Sequence, residues 1–367
     1  MFRGSCTALN RSFRVQCVSV LLQRPLCSSQ ILCAQAWIVE NRKTHQASQG
    51  ANWEDEEAKK IKSRVMDKLG QWGTRMDLQV ESTLKYGKPV PLVKADTIGY
   101  HSEKGRRAYN EDRVLVHSFN DDLILCAVFD GHGGAQCADF AAENFVSALN
   151  NEGGCLKDPN SDLLKVLRIG FETIERDFQA KVRRSGRELK NCGSTATVAL
   201  LRRGTHLVVG QLGDSRAILS RNGEAKLLTP IHEPTNPIEE VSKAPIHEAT
   251  NPIEEERVVK GGGRITSDST GRALVNGRLA MTRSLGDASL KGYGVSAEPE
   301  IRSFKVKHAV DNFLVLVTDG VSDVLRDQEI CEVAKGETAK EAAKSVVDQA
   351  ILFNSQVSAL SPPVPVP

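Results

Sequence analysis

The sequence predicts an α+β fold in which antiparallel sheets are covered by helices. Three observations predict it. Continuous apolar runs of strand length recur, Leu123–Phe129 and Phe313–Val317 being the clearest. Three further strand-like runs, Thr195–Leu201, His206–Leu212 and Arg216–Ser220, are separated only by the tight turns Arg202–Gly204 and Gly213–Ser215, so they join as hairpins. Helical patterns are grouped between and after these runs instead of alternating with every strand.

The elements follow in chain order. Residues 1–38 contain no Asp or Glu, carry Arg3, Arg11, Arg14 and Arg24, and intersperse serines and aliphatic residues. That is the composition of a mitochondrial presequence, addressed to the matrix. A disordered basic tail and a secretory signal are the alternatives; the apolar stretch Val18–Leu22 is short for a secretory signal and Arg24 interrupts it. Residues 39–92 read as a linker with one charged helix, Glu54–Leu69, and Gly87-Lys88-Pro89 marks entry to a compact domain spanning 93–352. Within it Gly134–Leu149 is a helix. Ser161–Phe178 is another, its Leu163, Leu167, Phe171, Ile174 and Phe178 falling on one face. Thr338–Leu352 is a third, opened by a capping box of Thr338 and Glu341. Residues 228–262 hold a duplication: Ile231–Glu240 (IHEPTNPIEE) recurs as Ile246–Glu255 (IHEATNPIEE). Two copies do not make a solenoid, and the prolines mark an enlarged surface loop. Residues 353–367 form a Pro-rich tail, which cannot supply a central strand.

Composition narrows the function. Lys+Arg total 48 and Asp+Glu 46, a net charge of +2, which predicts neither a nucleic-acid nor a general membrane partner. No run of eighteen apolar residues is present, so no membrane span is expected. The nine cysteines include no CxxC pair and indicate neither a zinc site nor a disulfide framework.

The chemistry gathers on acidic residues at strand ends: Glu111 and Asp112; Asp130, directly after the first apolar run; Asp214 in Gly-Asp-Ser-Arg; Asp319 in Thr-Asp-Gly, with Asp323 four residues on. Carboxylates meeting at one place repel unless cations lie between them. Hard oxygen ligands suit Mg²⁺ or Mn²⁺. Two such ions can share and ionise a water that attacks phosphorus in line. His132, two residues from Asp130, is placed to protonate the leaving oxygen. Arg107 offers a planar fork for phosphate oxygens. Gly131 lets backbone approach the ions. Taken singly, Asp-Gly is a common turn dipeptide and a lone histidine is more often structural; the ordered combination carries the reading.

That combination resembles the metal-dependent protein phosphatase family, also called protein phosphatase 2C. Seven segments match in family order: Asn110–Arg113, Val128–Gly134, Gly193–Leu201, Gly213–Ala217, Asn276–Asp287, Ala297–Ile301 and Leu316–Leu325. The leader and the approach segment Lys85–Pro89 resemble the family's mitochondrial members that act on the branched-chain ketoacid dehydrogenase complex. The resemblance implies a four-layer α-β-β-α sandwich and hydrolysis of phosphoserine and phosphothreonine in protein partners. It implies that Asp130 bridges two Mn²⁺ or Mg²⁺ ions, that the Gly131 carbonyl binds one and Asp319 the other, and that Glu111 and Asp112 hold bound waters. It implies a weaker third site at Asp214 and Asp323, phosphate binding by Arg107, and a general acid in His132. Two departures accompany it. His232 and His247 share one family position in the duplicated flap. The family's closing Gly-x-x-Asp-Asn strand is not matched, Val357 standing about where its metal-binding aspartate belongs. The final strand is therefore expected to be missing, and a catalytically impaired phosphoprotein-binding form is the alternative function.

Overall fold

In the computed structural model the described residues are 17–23 and 97–359, apart from 106, 152–155, 157–160, 186–187, 231–251, 270 and 308–309. The chain divides into two compact units, Met1–Gln23 with Lys94–Pro367, and Arg24–Val93; all described residues belong to the first. The expected helix Glu54–Leu69, both flap histidines and most of the duplication lie outside the described residues.

Two five-stranded antiparallel sheets form the body. The first has the order β14 (Glu300–Lys305), β8 (His206–Leu212), β7 (Ala196–Arg202), β4 (Leu123–Phe129) and β3 (Arg113–Asn120). The second has the order β10 (Glu224–Leu227), β9 (Arg216–Arg221), β15 (Asp311–Val317), β1 (Cys17–Gln23) and β2 (Ile98–Glu103). β4 approaches both β15 and β1, so the sheets face each other.

The continuous apolar runs follow from this layering. In a strand, alternate residues point to opposite faces, and a strand covered on both must be apolar throughout. Leu123, Leu125, Ala127 and Phe129 of β4 enter the core beneath helices α1 (Gln136–Asn151) and α2 (Leu163–Ser185), together with Phe145, Phe171 and Phe178. Ile124, Cys126 and Val128, also buried, take the other face. Phe313, Val315 and Val317 of β15 meet the helix α6 (Ala339–Ala359) through Ala342, Val346 and Val347. The layers are thus helix, sheet, sheet, helix, the four-layer sandwich.

Helix boundaries differ from expectation for local reasons. α1 starts at Gln136 because Gly133 and Gly134 adopt φ of 66° and 121°, outside the helical region. α2 extends past Phe178 because Val182 continues its buried stripe. The capping box of α6 is present: the Thr338 amide donates to Glu341 Oε2 at 3.3 Å, and the Glu341 amide donates to Thr338 Oγ1 at 3.4 Å. α6 runs through Val357, so that stretch is helical and contributes no strand. The second sheet still has five strands, because Cys17–Gln23, from within the expected leader, lies between β15 and β2.

The end of the duplication is a helix and not the expected loop: α3 spans Pro252–Lys260. Proline is tolerated in a first helical turn, where its missing N–H has no acceptor to lose.

Candidate active site

Asp130 leaves the buried end of β4 and its backbone is pinned on both sides. Its amide donates to Thr195 Oγ1 at 3.0 Å, and its carbonyl accepts from the Thr195 amide at 2.9 Å and Ser194 Oγ at 3.1 Å. The next two residues form the short strand β5 (Gly131–His132), paired with β6 (Gly193–Ser194). The carboxylate therefore projects from a rigid edge. Gly131 is required there: a Cβ would lie 2.5 Å from the Glu111 carbonyl.

Three expected ligands converge on Asp130 from distant parts of the chain. Burial, then the charges of Asp319, Asp112 and Asp214, hold the Asp130 carboxyl well above the usual carboxylate range, and its side chain is within hydrogen-bonding reach of Asp319. Asp319 stands at the start of α4 (Asp319–Ser322), directly after β15 and Thr318. Asp112 is buried and accepts from Thr318 Oγ1 at 3.2 Å, which ties β3 to β15 at the site. Asp214 is buried in the β8–β9 turn, which Gln211 braces by donating to the carbonyls of Gly213 and Ser215 at 2.9 and 2.7 Å. Arg272 lies 3.5 Å from Asp214 Oδ2, an ion pair that no sequence motif announces. Arg107 lies 3.8 Å from Glu111, so its fork is already at the acidic edge. Asp323 is exposed one helical turn beyond Asp319, where its amide donates to the Asp319 carbonyl at 2.8 Å.

The donor set fits hard divalent cations. It is all oxygen, and its central carboxyl is disfavoured as an anion by the carboxylates around it, the condition that a bound cation relieves. Among the described residues no three His, Cys, Asp or Glu side chains are already drawn around one point. Mg²⁺ commonly keeps several waters and is held by one or two carboxylates, so a ready-made cage is not required.

His132 has a partner that the sequence reading did not assign. Its Nε2 lies 2.7 Å from Asp287 Oδ2, and Asp287 also accepts from Ser284 Oγ at 2.6 Å. Burial pushes the Asp287 carboxyl up, but His132, Ser284 and Lys291 outweigh it and leave the group below its ordinary value. An ionised carboxylate only accepts, so Nε2 carries a proton and Nδ1 is the ring nitrogen left for a second partner. His132 Nδ1 is buried and has no hydrogen-bond partner among the described residues. The histidine–aspartate pair crosses over Gly193, where a Cβ would lie 2.1 Å from Asp287 Oδ2 and 2.3 Å from His132 Nε2. Asp287 closes the Asn276–Asp287 segment, so its place in a matching motif was the one available signal.

Beside the site, Glu254 of α3 is buried and ties the flap to the Thr282–Arg283 segment. It accepts from Arg283 at 2.5 Å, Arg257 at 2.5 Å and Thr282 at 2.8 Å. Burial alone would raise its carboxyl; the two guanidinium groups and the hydroxyl bring it down to about 2.

The Protein phosphatase 2C family pattern matches residues 98–358. The chain is 38% identical over 306 residues to "Protein phosphatase 1K, mitochondrial" of Xenopus laevis, covering 82% of this chain and 76% of that protein. It is 33% identical over 263 residues to "Probable protein phosphatase 2C 17" of Arabidopsis thaliana, covering 70% and 84%. Among solved structures, a serine-threonine phosphatase 2C from Toxoplasma gondii aligns with a TM-score of 0.60 at 20% identity, over 69% of this chain and 88% of that one. A C. elegans sex determining protein aligns with a TM-score of 0.56 at 26% identity, over 68% and 59%.

Proposed function

The chain belongs to the protein phosphatase 2C family and is a protein serine/threonine phosphatase, and from that premise we propose that it dephosphorylates mitochondrial matrix proteins with a pair of divalent cations held between Asp130 and Asp319. The observation that carries this reading is the convergence of Asp319, Asp112 and Asp214 on the buried Asp130.

When bound, Mn²⁺ or Mg²⁺ would polarise the phosphoryl oxygens and lower the pKa of a shared water. Asp130, the Gly131 carbonyl and Asp319 would hold the ions, with Glu111 and Asp112 fixing waters around them and Asp214 and Asp323 offering a weaker third position. Arg107 orients the phosphoryl group through its fork of N–H donors. His132 would serve as the general acid, delivering a proton to the departing serine or threonine oxygen, while Asp287 fixes the ring through Nε2.

The compartment rests on the acid-free, Arg-bearing leader and on similarity to a relative named as mitochondrial. The branched-chain ketoacid dehydrogenase complex is the candidate substrate, from resemblance to that group of phosphatases. No helix among the described residues is long and apolar enough to cross a membrane. Phosphate release from a phosphothreonine peptide, strictly dependent on Mn²⁺ or Mg²⁺ and lost in Asp130→Ala, is the expected result; turnover indifferent to EDTA contradicts the reading. For the substrate, mitochondria lacking this protein should dephosphorylate the complex more slowly, and an unchanged rate removes that target.

A second reading, a phosphoprotein-binding form with impaired turnover, is favoured by one observation: α6 is still helical at Val357, so that stretch brings no carboxylate to the site. A variant with a Gly-x-x-Asp-Asn strand restored after Leu352 decides between them. Turnover only in the restored form, with phosphopeptide binding in both, selects the second reading.

A further inference from the structure

We infer that Cys17–Gln23 is a retained strand of the catalytic domain that holds the Asp319 edge of the site in place, so that the working protein is one in which this segment has not been removed. β1 is paired antiparallel on both sides. Against β15 the register runs from Ser19 opposite Val317 to Gln23 opposite Phe313. Against β2 it runs from Cys17 opposite Glu103 to Leu22 opposite Ile98. It therefore lies inside the sheet, with a strand on either side, and among the described residues β2 joins that sheet through it.

The sequence of the segment suits that place. Cys-Val-Ser-Val-Leu-Leu-Gln has no charge, glycine or proline and is mostly aliphatic, as a strand between two neighbours requires. Without it β2 and β15 would each expose a row of unpaired N–H and C=O groups. α6 lies over β1 and β2, and its first turn sits so close to β2 that a Cβ at Gly99 would be 2.1 Å from the Ala339 carbonyl carbon. Removing β1 would leave that helix without its floor.

The catalytic consequence follows from register. Ser19 pairs with Val317, two residues before Asp319, and α4, which begins at Asp319, touches β1 directly. β1 thus braces the end of the strand that delivers Asp319 to Asp130. A presequence cut after Gln23 would discard the brace, whereas a cut before Cys17 would keep it. Targeting and folding then share one segment, with the targeting information ahead of Cys17 or left uncleaved.

The direct test is hydrogen exchange on the full chain, a readout independent of the phosphatase assignment. Backbone amides of Val18–Leu22 are expected to be protected together with those of Leu314–Leu316. Exchange at free-peptide rates in Val18–Leu22, with Leu314–Leu316 protected, overturns the inference. A second arm compares chains covering residues 17–367 and 24–367. The longer should keep its melting temperature and Mn²⁺ affinity, while the shorter should bind Mn²⁺ roughly tenfold or more weakly and recover on addition of a peptide of residues 12–23. Equal melting temperature and Mn²⁺ affinity in the two chains contradict it. If the shorter chain does not fold, Val20→Pro in the full chain substitutes. Loss of one ladder N–H should lower the melting temperature, and an unchanged value overturns the inference.

Discussion

His132 Nε2 lies 2.7 Å from Asp287 Oδ2, and the pair passes over the bare Cα of Gly193. The histidine at the site is therefore oriented by a residue 155 positions away, and that relationship has a kinetic signature. Asp287→Asn keeps the shape but removes the negative charge facing the His132 ring. The expected result is a fall in kcat of about 10²-fold, the lower end of a general-acid contribution, with KM for the phosphopeptide little changed. The loss should shrink with p-nitrophenyl phosphate, whose leaving group needs no proton. An equal loss on both substrates contradicts the assignment of Asp287 as a positioning residue.

Gly193→Ala tests the same contact by volume. The new methyl would fall 2.1 Å from Asp287 Oδ2 and 2.3 Å from His132 Nε2, and both belong to anchored side chains. Displacing them should cost activity comparable to Asp287→Asn, and stability of about 1–3 kcal/mol. A variant with wild-type kcat and melting temperature refutes the crossing.

Asp130→Asn separates the function of this residue from its effect on stability. The Asp130 carboxyl is pushed up by burial and by Asp319, Asp112 and Asp214, so its charge opposes folding when no cation is bound. The variant should be inactive yet melt higher than the wild type in EDTA, by about 2–4 °C for each kcal/mol relieved. In excess Mn²⁺ the order should reverse. A lower melting temperature in EDTA counts against the carboxylate cluster.

The flap anchor predicts a pH dependence. Glu254 has a folded value of about 2, below its ordinary value, so its contribution is complete above the unfolded value and is lost as pH falls toward 2. On the order of 3 kcal/mol of local stability should disappear between roughly pH 4.5 and pH 2. Hydrogen exchange across α3, followed against pH, checks this. Glu254→Gln should abolish the dependence in α3 while leaving that of β4 unchanged; a dependence that survives the substitution excludes Glu254 as its source.

What the sequence revealed, and what it hid, divides along the range of the contacts. Asp130 was legible because a two-sided apolar strand ends at it, and Asp319 for the same reason at the end of β15. The α6 capping box was legible because Thr338 and Glu341 are three residues apart. Asp287 had no role in the sequence reading because its partner is distant in the chain, and Arg272 beside Asp214 was hidden likewise. Glu254 sat inside a Pro-rich repeat that reads as loop; only its partners Arg257, Thr282 and Arg283 make it an anchor. β1 was obscured by its setting, since an acid-free, Arg-bearing leader matches a presequence whether or not part of it folds. Antiparallel sheets covered by helices were foreseeable from the hairpins and apolar runs, and the four layers from the family resemblance, whereas the place of Cys17–Gln23 in the second sheet depends on pairings across roughly three hundred residues.

The most direct test of the account is Mn²⁺ binding measured by calorimetry on the full chain, Asp130→Ala and Asp319→Ala, with phosphopeptide turnover followed on the same samples. Two tightly bound ions in the full chain, with binding and turnover lost together in both variants, is the predicted result. Undiminished Mn²⁺ stoichiometry and affinity in either variant would contradict a cation pair held between Asp130 and Asp319.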